Sequence, residues 1–219
     1  MELWHALNRG VEKRNIFLDD RDRFRFVHGL VLFNTARPAN NTTFIIESDI
    51  NDFVNRYKDE RIVDIHGWCL MRNHYHLLLS GRTEGGVSLF LRKLNVGYAN
   101  YFNSRYERSG ALFQGRTKKK HIDNDAYFLH ILNYIHFNPL DLHAQSKHWR
   151  QREIKDARAA LQRLETYRWS SYLDYCGKAN FPSVLTTDLY RGVFTDVQKS
   201  TEKYLRDIEI NVDYVLEDA

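Results

Sequence analysis

The chain has 219 residues with three prolines and two cysteines, long enough to bury a core without staples; the cysteines, Cys69 and Cys176, exclude a disulfide framework and fit a reducing compartment. The N-terminus, MELWHALNRGVEKRN, carries no secretory apolar segment and no apolar run reaches membrane-spanning length, so a soluble, cytoplasmic protein with no membrane partner is expected. The formal charge of +4 is unevenly placed: Arg92 to Lys120 holds eight basic residues against one acid, while Asp196 to the end holds three against seven, which points to a polyanion partner for the middle of the chain or, more plainly, a solvated helix face.

Leu3 to Leu7 reads as a first strand ending at the turn Asn8-Arg9-Gly10. A helix follows from Asp20 to Phe33, with Phe24, Val27, Leu30 and Val31 at helical spacing. Asn34 to Thr43 reads as a loop and Ser48 to Lys58 as a second, shorter helix. Arg61–Met71 and His74–Ser80 read as two strands joined tightly at Arg72-Asn73. Ser88 is the expected N-cap of a helix through Leu91, Leu94, Tyr98 and Tyr101, and Ser109 to Lys120 reads as a basic loop. Asn124 to Asn138 is then a helix stopped by Pro139, since the residue before proline is pushed out of the α region. A charged helix (Arg152 to Glu165), an aromatic patch and a helix near Asp196 to Glu209 complete an α+β chain with an antiparallel sheet, flanking helices and a helical C-terminal extension.

His74-Tyr75-His76 is the first chemical signal. Residues two apart on a strand share a face, so both imidazoles project side by side and could bind one divalent ion; two surface histidines on an amphipathic strand would look the same. A two-residue hairpin sets Met71 opposite His74, Cys69 opposite His76 and Gly67 opposite Leu78, and the small residues at 67 and 69 should leave room for a ligand. The helix from Asn124 carries Phe128, Ile131, Leu132 and Ile135 as its apolar stripe, with Tyr127, His130, Tyr134 and Asn138 along the edge. Tyr134 and Asn138, at i and i+4, put a phenol and an amide one turn apart on one side. Tyr127, one face-neighbour away, is expected to be inert in the chemistry.

These segments resemble the single-tyrosine transposases of the HUH nuclease superfamily, and within them the REP-associated tyrosine transposases. The histidine–hydrophobe–histidine motif stands in LMRNHYHLLL (Leu70–Leu79), with Tyr75 where an aliphatic residue is usual. The tyrosine helix stands in YFLHILNYIHFNPL (Tyr127–Leu140). NRGVEKRNIF, YANYFNSRYERSGALFQGR and YRWSSY occur in the same order, so the likeness spans about residues 5 to 175, and nothing beyond about 180 matches. The resemblance implies a ferredoxin-like or RRM-like core, a catalytic domain over residues 1–148 and an extension over 149–219. It implies Tyr134 as nucleophile, His74, His76 and Asn138 as metal ligands, magnesium or manganese as the ion, and single-stranded DNA with REP-type hairpins as partner. Cleavage would then leave a 5′-phosphotyrosine and a free 3′-OH.

A phenol ionises near pH 10 and is a poor nucleophile at neutral pH unless assisted; His130, one turn before Tyr134, is a candidate base, although a solvated or core-edge histidine is the more usual reading and the ion itself could do the work. Arg116, Lys118 and Lys119 are the expected DNA contacts, with Arg9 and Arg14 in support; of the aromatics Tyr98, Tyr101, Phe102, Tyr106 and Phe113 interleaved in the basic block, about half are expected in the core and the rest could stack bases. A hairpin-binding protein of the same fold without cleavage, and a hydrolase using water in place of tyrosine, are the competing functions. The extension favours a monomer over a dimer.

Overall fold

A computed structural model describes residues 2–38, 58–144, 146–151, 154, 156–193 and 196–206. Four strands form one antiparallel sheet: β1 (Leu3–Arg9), β2 (Val63–Leu70), β3 (His74–Gly81) and β4 (Lys118–Ile122), in spatial order β2-β3-β1-β4. With helix α1 (Asp20–Leu32) between β1 and β2, and α2 (Gly86–Arg105) between β3 and β4, this is the βαββαβ ferredoxin-like arrangement expected. Helix α3 (Asp125–Phe137) follows and leads straight into a 3₁₀ turn at Asn138–Leu142. Beyond it come α4 (Ala157–Thr166), the one-turn helices α5 (Tyr172–Tyr175) and α6 (Asp188–Arg191), and α7 (Val197–Arg206). The expected helix at Ser48–Lys58 lies outside the described residues except for Lys58, as do the later part of the Asn34–Thr43 loop, the far end of the last helix and three of the first four residues of the Arg152–Glu165 helix.

Several sequence expectations are corrected. The turn expected from Asn8 begins only after Arg9, because both residues pair with β3 inside β1, and Asn138 before Pro139 keeps helical angles (φ −48°, ψ −38°) and opens the 3₁₀ turn instead of leaving the α region. The second half of the basic loop is a strand: β4 pairs with β1, Leu7 opposite Lys118 and Leu3 opposite Ile122. Its KKKHI sequence has weak strand propensity, but consecutive lysines suit an exposed edge, where they deter pairing with other chains. Helix α2 begins at Gly86 with Gly85, at φ +67°, as its cap, not at Ser88. The chain passes so close to β2 here that a Cβ at Gly86 would meet the Ile62 carbonyl at 2.5 Å, and Ser88 Oγ instead accepts a hydrogen bond from Lys119 Nζ at 2.7 Å.

The sheet separates two cores. On one face α1 and α2 pack Phe26, Leu30, Phe90 and Leu94 against Trp68, Tyr75 and Leu77. On the other, α3 packs Ile131, Leu132 and Ile135 against Cys69 and Leu78. A third cluster joins Phe137 and Leu140 to Trp149, Leu161 and Leu164. The segment containing YRWSSY docks on the outer edge of β2: Leu70 N–H donates to the Trp169 carbonyl at 2.9 Å and Trp68 N–H to Ser171 Oγ at 3.0 Å. Tyr75 lies fully buried on the α1–α2 face with its hydroxyl on Asn95 Oδ1 at 2.7 Å, which is how an aromatic residue is accommodated between the two histidines.

Candidate active site

The strand register sets the first residues of the site. Arg9 lies opposite His74, Leu7 opposite His76 and His5 opposite Leu78, so Arg9, His74, His76 and His5 share the face that α3 covers. Cys69 faces His76 and Gly67 faces Leu78, as the two-residue hairpin requires. The space at Gly67 is not open to a ligand, however. A Cβ there would meet Leu132 Cδ1 at 2.8 Å, so the glycine admits α3 itself to close approach on the sheet.

Helix α3 is anchored by Asn124, whose Oδ1 accepts from Tyr127 N–H at 2.8 Å. From there the Tyr134 ring meets His76 and His5 edge-on, each with centroids 5.8 Å away. His74 and His76 are themselves 5.0 Å apart, edge to face. Asn138 is completely buried; its Nδ2 donates to the Tyr134 carbonyl at 2.8 Å and its Oδ1 accepts from Arg150 Nη2 at 2.9 Å. The same guanidinium stands over the Tyr134 ring at 5.5 Å and is held by Asp141, with Nη1 2.5 Å from Oδ1 and 2.6 Å from Oδ2. Trp149 Nε1–H donates to that carboxylate at 2.7 Å, fixing it in turn.

His5 links three side chains. Its Nε2 is 3.0 Å from His76 Nδ1 and its Nδ1 is 3.3 Å from the Tyr127 hydroxyl. Burial, with Lys120 nearby, lowers the His5 pKa to about 3. Burial foremost, then the neighbouring His74, His5, Arg150 and Arg9, holds His76 well below the usual imidazole range. Both rings are therefore neutral at neutral pH, with one proton each to place. Burial also raises Tyr127, so its hydroxyl keeps its proton. Tyr127, expected to be inert in the chemistry, is thus hydrogen-bonded to the histidine pair through His5.

The remaining sequence candidates distribute unevenly. Arg116, Lys118 and Lys119 are exposed, but successive residues of β4 alternate in direction, so Lys118 lies on the His76 face while Lys119 lies over Trp4 on the other. Lys120, on the His76 face, stands 4.6 Å above the Tyr127 ring. Arg9 is brought to the histidines, whereas Arg14 follows Gly10 in a tight turn whose Ile16 N–H reaches the Arg72 carbonyl at the β2–β3 turn. His130 packs on Tyr204 of α7, and its pKa is lowered by burial. The aromatics of the basic block are structural: Tyr98 and Phe102 are buried, Tyr101 and Tyr106 donate to Asp22, and Phe113 packs on the same core.

Sequence reasoning missed His5 and Arg150. His5 was discoverable, because a histidine at the centre of an alternating strand, between Leu3 and Leu7, must point into the covered face. Arg150 had no local signal; it reaches Asn138 only because the chain turns back through Asp141 and Trp149.

His74 and His76 suit a divalent ion. Asn73 Oδ1 accepts from His74 Nδ1 at 2.6 Å, leaving the lone pair on Nε2, and among the described residues the buried His76 Nε2 has no hydrogen-bond partner. Among the described residues no group of three or more His, Cys, Asp or Glu side chains could hold a metal, so a third ligand from among them would be of another kind, such as an amide. An amide oxygen has two lone pairs, and at Asn138 Arg150 takes one.

The family model for IS200-like transposases matches residues 27–138, just over half of the chain. A solved structure described as "Structure of the REP associates tyrosine transposase bound to a REP hairpin" aligns with a TM-score of 0.48 at 13% identity, covering 86% of this chain and 87% of that one. No curated protein matches. Among the described residues no helix is long and apolar enough to cross a membrane.

Proposed function

Because the chain belongs to the IS200-like transposase family, we propose that it cuts and rejoins single-stranded DNA carrying hairpins of the REP type, with Tyr134 as covalent nucleophile. One observation carries the reading: the Tyr134 ring lies edge-on to His76 and His5, with the Arg150 guanidinium over it. A phenol, a pair of imidazoles and a cation converging at one point is what attack on a phosphodiester requires.

His74 and His76, with the Asn138 oxygen, would hold the divalent ion. When bound, magnesium or manganese there supplies Lewis-acid polarisation of the scissile phosphate. Tyr134 Oη attacks phosphorus and the bond to the 3′-oxygen breaks. The phenolic proton passes, in net, to that oxygen, leaving a 5′-phosphotyrosine and a free 3′-OH. A 3′-OH from another strand reverses the step, so joining needs no ATP. Arg150 stabilises the charge that develops between phenol and phosphate, and its position favours it over His130 as the assisting group. With the His76 lone pair on Nε2, its Nδ1–H donates to His5, and His5 Nδ1–H donates to Tyr127; His5 thereby orients the ligand ring. Arg9, Arg14, Arg116, Lys118 and Lys119 would contact the DNA backbone. Helix α3 sits on its own sheet through Leu132 and Gly67, which supports a site completed within one chain and a monomer.

The test is a labelled hairpin with a single-stranded flank, incubated with protein and magnesium and run on a denaturing gel. An adduct that survives denaturant should map to the peptide containing Tyr134. Tyr134→Phe should lose cleavage and adduct together while keeping its melting temperature and DNA affinity. A wild-type nicking rate in that variant would overturn the assignment and make water the nucleophile.

A further inference from the structure

Across the sheet from Tyr134, a half-open cavity of about 980 Å³ lies between α1 and α2. Six cationic side chains line it (Arg21, Arg25, Arg37, Arg92, Lys93 and Arg105), and among the described residues no acidic one does. Some of that charge is spoken for. Arg105 pairs with Asp19 and Asp22, Arg37 pairs with Glu60, and Lys93 Nζ donates to the Thr35 and Arg37 carbonyls. Arg25 is different. It is only 7% exposed, its guanidinium lies 5.5 Å from the Tyr101 ring, and its Nε and Nη1 are buried with no hydrogen-bond partner among the described residues. A buried cation with two unsatisfied donors is costly unless an anion meets it. Arg21 and Arg92 are exposed at the rim, and among the described residues neither forms an ion pair. Val96, 56% exposed, adds an apolar lip.

We propose that this cavity is a nucleic-acid phosphate site, in which Arg25 receives a backbone phosphate of the strand that is processed on the opposite face of the sheet. This rests on the DNA-processing reading above. A phosphate supplies the acceptors that the fork of a guanidinium matches, and the rim cations suit a continuous strand better than an isolated ion. The edge strand β4 joins the two faces, with Lys118 and Lys120 on the Tyr134 side and Lys119 on the α2 side. A strand could thus follow positive charge around the edge, gripped on one face and cut on the other.

The experiment is fluorescence polarisation of the same hairpin in chelator, titrated across salt, with wild type, Arg25→Ala, Arg25→Lys and the rim double variant Arg21→Glu/Arg92→Glu. Arg25→Ala should weaken binding about 10-fold or more and flatten the log–log salt slope by roughly one. Arg25→Lys should keep the slope and lose only part of the affinity. The rim variant, altered only at exposed positions, should weaken binding even if Arg25→Ala fails to fold. Wild-type affinity and slope in the folded variants would overturn the proposal while leaving the Tyr134 adduct standing. Competition by pyrophosphate that depends on Arg25, with hairpin affinity unchanged, would also overturn it and assign the cavity to free phosphates. Absence of hairpin binding by the wild type would remove both readings.

Discussion

Gly67→Ala adds one methyl group at the contact that sets the distance between Tyr134 and the histidines. The new Cβ would stand 2.8 Å from Leu132 Cδ1, while its next neighbours, Leu78 Cβ and Ser171 Oγ, are both at an ordinary 3.7 Å. The conflict is therefore confined to Leu132. That side chain is 1% exposed and is wedged among Ile131, Ile135 and Leu78, so it cannot swing clear. Overpacking of this kind costs about 1–3 kcal/mol, against which a strand alanine recovers at most about 1 kcal/mol of backbone entropy. At about 2–4 °C per kcal/mol for a chain of this size, the melting temperature should fall by several degrees. Helix α3 must also lift as a rod, and if Tyr134 and the histidines act as proposed, a displacement near 1 Å between them costs on the order of 100-fold in rate. Scanning fluorimetry reads the first effect and single-turnover cleavage the second. Leu132→Val, which withdraws the Cδ atoms, should restore part of both in the Gly67→Ala background. A single variant that melts and cleaves like wild type would refute the reasoning and return the space at Gly67 to a ligand.

His5→Ala should weaken manganese binding about 10–100-fold, read by titration calorimetry without DNA, whereas His5→Gln, which can still accept from His76 and donate to Tyr127, should lose much less; equal losses would deny His5 an orienting role. An equimolar mixture of His76→Ala and Tyr134→Phe should stay inactive, since helix and sheet belong to one chain; recovered cleavage would mean that the site is shared between chains. Burial holds the His66 pKa below 6.5, so the unfolded chain binds more protons as pH falls beneath that value and stability drops with it. Between pH 7 and 5, His66→Gln should therefore show a flatter urea-stability curve than wild type, and parallel curves would exclude His66 as a source of the dependence.

The parts of the molecule that were legible in the sequence are those whose pattern is local. The His74–His76 spacing, the apolar stripe from Phe128 to Ile135 and the alternation from Leu3 to Leu7 each follow from a period of 2 or 3.6 residues, and each stands as an element of the expected kind. Where sequence reasoning failed, a distant partner decided the outcome. Lys118–Ile122 is a strand because β1 offers an open edge, not because lysine prefers one. Tyr101 and Tyr106, which look like stacking platforms beside arginines, are bound to Asp22, some eighty residues earlier. The purpose of Gly67 was misread for the same reason, since only the packed helix shows what fills the space.

The placement of Arg150 answers an electrostatic difficulty in the site. In the proposed reaction, neutral imidazoles and a buried amide would give a dianionic transition state little compensation, and an unpaired guanidinium only 15% exposed would be costly. Asp141 removes most of that cost by binding Arg150 through both carboxylate oxygens, and Trp149 holds the carboxylate in place. The guanidinium is thereby fixed over the Tyr134 ring without rotamer freedom to lose at the moment of reaction. His76 stays neutral through its burial and the positive charges around it, Arg150 among them, and His5 through its own burial. A phosphate entering between Tyr134 and Arg150 would draw on the donors now directed at Asn138 and Asp141. The 3₁₀ turn after α3 makes this arrangement possible: Asn138-Pro139 continues the helix tightly enough to set Asp141 within reach of the arginine that lies over Tyr134.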